Sequence, residues 1–281
     1  MSDTQDKLAA LRKRTLLRDD TTDPDGRIYK NLETGEIYHS VTRILQSTMD
    51  PEAKKRLDSW LQRPTSHQDR NMAAARGTLA HGSAEYCLKL GQRLARKAAN
   101  NRNSWKLGED GLYRAPKAIT KWALEKSVSS APKVSWSASG FARGLRGWIL
   151  DHVTNIHAVE FSGYHPAGFA GSADAFLDIA GTKNVIVDFK TTGKSLHADM
   201  EAQTINYRDQ LGGYSLMLTY LTGIEANAGA IVTARRSGAP VTTLLDRTEL
   251  SKAEGRYLAR CERHFNTLNA DRSLIEESEA L

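Results

Sequence analysis

The chain has 281 residues, 40% of them hydrophobic, a formal net charge of +6 and only two cysteines. That is enough sequence for one large domain or two small ones around a real core, and the positive balance favours an acidic partner. Cys87 and Cys261 can neither complete a zinc or iron–sulfur site nor build a disulfide framework, so a reducing compartment is expected. No apolar run approaches the ~20 residues that span a bilayer. The opening MSDTQDKLAALRKRTLLRDD has no apolar signal core and carries Asp3 and Asp6, unlike a transit peptide. A cytoplasmic protein with no membrane partner is expected.

Residues 1 to about 25 are highly charged and predict a poorly ordered or helical arm. GRIYKNLETGEIYHSVTRIL then sets a Thr-Gly turn between two short segments that suit a hairpin. This gives an N-terminal unit over 1–37 ahead of a main domain over 38–281. Ser40 is the expected cap of a helix beginning at SVTRIL. Asp50 and Pro51 are the cap and first residue of the next helix, with Ala53, Leu57, Trp60 and Leu61 on one face. A long helix is expected over about 69–99 despite Gly77 and Gly82, and shorter ones near 115–127 and 138–151. From 153 onward the pattern turns to strands: NIHAVEFSGYH, GFAGSADAFLDIA and NVIVDFKTT, the last two joined at GTKN. A helix over about 199–222 follows, then strands AGAIVTAR and VTTLLD joined at RSGAP. The final helix, over about 248–270, sets Leu250, Tyr257, Leu258, Cys261 and Phe265 at helical spacing.

The stretch from 92 to 146 holds twelve Lys and Arg residues against Glu109, Asp110 and Glu125. Trp105, Tyr113, Trp122 and Trp136 lie among them. It reads either as a solvated helical face with core tryptophans or as a nucleic-acid surface, where cations meet phosphates and aromatic rings stack on unpaired bases. The size of the imbalance favours the second reading.

VIVDFKTT, residues 185–192, alternates so that Ile186, Asp188 and Lys190 share one face of a strand. On a wet surface this is an ordinary ion pair. Asp174, in GSAD on the preceding strand, can meet Asp188 across the hairpin. Two carboxylates brought together repel one another unless a cation neutralises them, and magnesium takes one or two carboxylates with water and phosphate oxygens. Asp174, Asp188 and Lys190 are therefore the residue types that phosphodiester hydrolysis needs. His81 and Glu85, four apart on a helix, and Gln210 and Tyr214, also four apart, are further candidates, with Glu160 on the strand before Asp174.

The order of these motifs carries a resemblance. G-x-x-x-H-x-x-x-E from Gly77 to Glu85, then Glu160, GSAD, VDFKTT and Q-x-x-x-Y resemble the PD-(D/E)XK nuclease superfamily. Within it they resemble the RecB-like exonuclease branch, including mitochondrial genome maintenance exonuclease and related phage exonucleases. The proline of the superfamily name is replaced by Ala173, a departure the branch tolerates. The resemblance spans about Tyr38 to Tyr220, interrupted by the basic insert at about 92–146. It implies an α/β fold, a restriction-endonuclease-like core with a central mixed β-sheet flanked by helices, plus an N-terminal helical region.

It also implies site roles. Asp174, Asp188, His81 and the backbone carbonyl of Phe189 would hold Mg²⁺ or Mn²⁺, and Lys190 would be catalytic with the two aspartates. Glu85, Glu160, Gln210 and Tyr214 would support the site. Ser40, Thr42, Arg43, Arg76, Lys117, Lys121, Thr191 and Thr192 would contact DNA. With two cysteines no iron–sulfur cluster is expected. The implied activity is a metal-dependent exonuclease on single-stranded DNA with a free end, from a bacterial or phage source, with a recombination or single-strand-binding protein as a candidate partner. The alternatives are a structure-specific or restriction-type endonuclease on the same fold, or a non-catalytic DNA-binding recombination subunit.

Overall fold

Val185 to Phe189 are buried without interruption, which a strand achieves only inside a sheet covered on both faces. In the computed structural model, which describes residues 16–20, 26–193 and 200–279, that run lies in β8 (Thr182–Thr192) of an eight-stranded mixed sheet. The sheet opens with an antiparallel meander, β1 (Leu16–Asp19), β2 (Ile28–Asn31) and β3 (Ile37–Ser40). A second antiparallel meander runs through β6 (Val153–His165), β7 (Phe169–Ile179) and β8. β9 (Ala228–Arg235) lies parallel to β8, and β10 (Val241–Leu245) closes the edge antiparallel to β9. A separate two-stranded ribbon, β4 (Lys106–Leu107) with β5 (Tyr113–Arg114), sits in the basic stretch.

Helices cover both faces. On one, α3 (Ser66–Asn101) and α5 (Trp136–His152) press Leu88, Phe141, Leu145 and Trp148 onto Val185, Val187 and Phe189. On the other, α6 (Met200–Thr222) and α7 (Arg247–Glu279) press Leu211, Met217, Leu250 and Tyr257 onto Phe161, Phe176 and Ile186, joined by α1 (Val41–Ser47). α4 (Lys117–Ser129) lies along the C-terminal half of α3, through Ala95, Ala99, Ile119 and Ala123. Close backbone approaches lock the layers. A Cβ at Gly212 of α6 would stand 2.5 Å from the Ala253 carbonyl carbon of α7. Among the described residues no helix is long and apolar enough to cross a membrane.

The expected hairpin, caps and strand order are present, with four differences. Residues 16–19 of the charged arm form a strand, because Leu16 and Leu17 extend the β2–β3 meander; residues 1–15 and 21–25 lie outside the described residues. β3 pairs with β7 through His39↔Phe169 and Ser40↔Ala170, so residues on both sides of position 37 belong to one sheet. α2 (Pro51–Leu61) has the expected Asp50 cap and Pro51 start, yet buries none of its residues fully; Ala53, Trp60 and Leu61 of its apolar face are half-buried. The basic stretch is not helical surface throughout: its last residues, in α5, supply Phe141 and Leu145 to the core.

Candidate active site

Strand β7 has two edges. β6 takes one along its whole length. The other is shared, with β3 registered against Phe169 and Ala170 and β8 against Ala175 to Ile179. Between them Gly171 to Asp174 have no cross-strand partner on that edge among the described residues. The strands part here, and the sequence fills the opening with GSAD. Asp174 Oδ2 accepts the Phe189 backbone N–H at 2.6 Å, replacing the ladder bond that the divergence removes.

Asp188 and Lys190 stand on the α6 side of β8. The Lys190 ammonium lies 2.5 Å from Asp188 Oδ2 and 5.0 Å from the centre of the Tyr207 ring. Asp188 Oδ2 is buried, and the Lys190 ammonium is its close partner. Burial raises the Asp188 carboxyl above its ordinary range, opposed by Lys190 and reinforced by Asp174. Burial alone would pull the Lys190 ammonium down; Asp188 and Asp174 outweigh it and hold it above the usual lysine range. One lysine thus faces two carboxylates.

The other candidates converge on this point. His81 Nδ1 of α3 is 3.7 Å from Asp174 Oδ2, its ring edge-on to Phe189. Gln210 Nε2 donates to the Tyr214 hydroxyl at 2.7 Å, and burial, then Asp188 and Asp174, push that phenol well above its usual range. Gly171 allows the approach: a Cβ there would stand 3.0 Å from both the Tyr214 ring and Val41. Glu160 adopts φ +48°, a left-handed conformation that costs a non-glycine residue about 1–2 kcal/mol. Burial, with Asp174 and Glu85 beside it, pushes its carboxyl up to about 8. Glu85 is also paired with Lys89 at 2.5 Å.

At the mouth, Thr191 Oγ1 is 3.4 Å from where a Cβ on Gly77 would sit. Arg76 lies over Phe141 at 5.0 Å, its Nε buried without a hydrogen-bond partner, and its Nη2 is 3.3 Å from the Cβ position of Gly193. Thr192 pairs in register with Arg235 at the end of β9.

Other candidates lie elsewhere. Ser40 is spent as the cap of α1, accepting the Arg43 N–H at 3.0 Å, with Thr42 Oγ1 at 3.1 Å from its hydroxyl. Arg43 is 6% exposed and lines, with Arg260, Arg263 and His264, a separate cavity of about 850 Å³ between α1 and α7. Lys117 and Lys121 are exposed on the first turns of α4, beside Ala95 and Ala99. Sixteen residues of α3 separate His81 from Lys97, roughly 24 Å of helix. Two basic residues turn inward: Arg114 binds Asp110 and Asp178 at 2.6 Å each, and Arg146 donates to Ser83 at 2.7 Å. Sequence reading missed Tyr207, although it precedes Gln210 by three residues and Tyr214 by seven, all on one helical face.

The residues present fit a divalent cation. Among the described residues no three His, Cys, Asp or Glu side chains are gathered as a ready-made metal cage. Magnesium does not require one, since it is held by one or two carboxylates and otherwise by water and phosphate. Asp188 and Asp174 are two carboxylates facing a single lysine, an excess of negative charge that such a cation neutralises. Asp174 and Asp188 would hold it, with His81 and the Phe189 carbonyl adjacent.

By sequence, no protein-family model and no curated protein matches the chain. Among solved structures it is similar to SSO0001, at 17% identity and a TM-score of 0.23, over 34% of this chain and 46% of that one. It is also similar to an alkaline exonuclease, LHK-Exo, from Laribacter hongkongensis, at 14% identity and a TM-score of 0.29, over 68% of this chain and 98% of that one. Likenesses at these scores leave the arrangement of Asp174, Asp188 and Lys190 as the ground for a functional reading.

Proposed function

We propose that the protein is a metal-dependent DNA exonuclease of the PD-(D/E)XK type, acting on single strands with a free end. One observation carries the reading: Asp174, Asp188 and Lys190 meet where two strands part, two carboxylates against a single ammonium. A bound divalent cation would supply a low-pKa water and neutralise phosphate charge. The chain's own residues supply the rest. Asp174 is held in place by the Phe189 N–H. The Lys190 ammonium, charged and held by Asp188, offers a cation to the oxygen that gains charge as the bond breaks. The Gln210–Tyr214 pair walls the α6 side, and Thr191 and Arg76 can bind flanking phosphates.

The test uses end-labelled linear single-stranded DNA and a circle of the same sequence, with Mg²⁺, Mn²⁺ or EDTA. Metal-dependent loss of the linear strand alone is expected. Lys190→Ala should slow it by about 10²-fold or more, as for loss of a preorganised charge, while strand binding persists. Cutting of the circle would make the enzyme an endonuclease. Full activity of Lys190→Ala would sink the assignment.

A further inference from the structure

The tryptophans in and just after the basic stretch have separate fates. Trp148 is core, donating to Thr242 Oγ1 at 2.8 Å. Trp105 packs beside Ala95 and Ala99 and donates to Asn100. Trp122 is half-exposed on α4, the helix that also carries Lys117 and Lys121. Trp136, the first residue of α5, is 79% exposed, the most exposed large apolar side chain among the described residues. An indole left in water at a helix start gains nothing from the core. One of its faces is taken: the Arg236 guanidinium lies 4.8 Å from the ring centre.

Its position connects it to the site. Arg236 follows Arg235, the register partner of Thr192 across the parallel β8–β9 pair. Two residues along β8 and one strand spacing across separate Lys190 from Arg235, roughly 8 Å between Cα atoms. The platform is rigid as well. A Cβ at Gly140, one turn into α5, would stand 2.0 Å from the Arg236 carbonyl oxygen, and one at Gly144 would stand 3.4 Å from Pro240. Helix and strand end therefore touch backbone to backbone. Arg76 touches both neighbourhoods, its guanidinium over Phe141 of α5 and its Nη2 3.3 Å from the Cβ position of Gly193 just beyond β8, so a strand that leaves the site past the end of β8 would meet a donor for its phosphates and then a flat ring.

We propose that Trp136, backed by Arg236, is a stacking platform for an unpaired nucleobase of the strand held at Lys190, and that it sets the preference for single-stranded DNA. The inference rests on the nuclease reading. A ring braced by a guanidinium on one face offers the other to a base, and every base has a π-face, so such a site reads strandedness rather than sequence. Bases stacked within a duplex cannot reach it.

The test measures binding in EDTA by the Lys190→Ala protein, alone and combined with Trp136→Ala, Trp136→Phe or Arg236→Ala. The probes are fluorescein-labelled oligo-dT and an abasic oligonucleotide of equal length, with circular dichroism confirming the fold of each variant. Trp136→Ala should weaken oligo-dT binding about tenfold or more and leave abasic binding unchanged. Trp136→Phe should recover most of the loss, and Arg236→Ala should lie between. Equal loss on both probes, or loss on neither, overturns the platform while leaving the nuclease reading standing. Failure of the Lys190→Ala protein to bind either probe overturns the nuclease reading, and the platform with it.

Discussion

An aspartate and a lysine two apart on a strand are unremarkable in water, but Asp188 and Lys190 are enclosed by α6. Enclosure converts a weak surface pair into a strong local field, because removing solvent strengthens each remaining charge interaction. A second enclosed set, at the opposite end of β7, is structural. Arg114 binds Asp110 and Asp178, and His157 Nε2 lies 2.8 Å from Asp178 Oδ1. Burial would raise Asp110, but the Arg114 hydrogen bonds win and hold it at about 2, and Asp178 is likewise held well below the usual range. Stability from depressed carboxylates is fully present above their unfolded pKa near 4 and is lost as pH falls through about 2. Arg114→Met removes the guanidinium shared by both carboxylates, leaving Asp178 with His157 and the Asn184 N–H and Asp110 with the Leu112 N–H and the Asn184 amide, so their pKa values rise. The variant should lose about 1–3 kcal/mol at pH 7, with a smaller deficit at pH 3.5, as the carboxyls begin to take up protons. Urea midpoints at the two pH values check this; a deficit that grows on acidification would refute it.

At the scale of elements, α6 and α7 approach through Gly212 and Gly213, where a Cβ at Gly213 would meet the Tyr257 ring at 2.9 Å. Gly212→Ala should cost about 1–3 kcal/mol, read as a fall in the thermal midpoint. Because α6 carries Gln210 and Tyr214, activity should fall in the variant even at temperatures where it stays folded. Elements of this kind were legible in the sequence: β8 from its alternation, α6 and α7 from helical spacing, the caps from Ser40 and Asp50. β4 and β5 were not, since two-residue strands leave no period to detect. α2 shows that an amphipathic pattern names a face without naming what covers it. In the site, motif order was enough to bring Asp174, Asp188 and Lys190 into one hypothesis. The left-handed turn at Glu160 and the inward course of Arg114 depend on neighbours far along the chain, and charge counting cannot separate paired cations from free ones.

For the whole molecule, the cations that remain outward are spread over more than one surface. Lys117 and Lys121 lie roughly four turns of α3 from His81, so only a strand long enough to cover that distance can touch both places. Reversing both to Glu should leave a short oligonucleotide's affinity unchanged. For a long strand it should flatten the slope of log affinity against log salt by about 1.4, because each phosphate that is no longer neutralised removes ~0.7 on single strands. A slope unchanged at every length would remove α4 from the DNA path.

The shared edge of β7 also sets an order of events in time. β8 meets β7 through a tight local turn, whereas His39 and Phe169 pair across 130 residues of chain. Contacts of such separation form late, because the entropy of closing the loop must be met before they stabilise anything. The opening that holds Asp174 has one wall from the early meander and one from the late strand. Refolding should therefore restore the circular-dichroism signal first and DNA binding afterwards, in a slower phase that dilution from urea followed by stopped-flow can resolve. A nascent chain would gain its sheet before it gained its site.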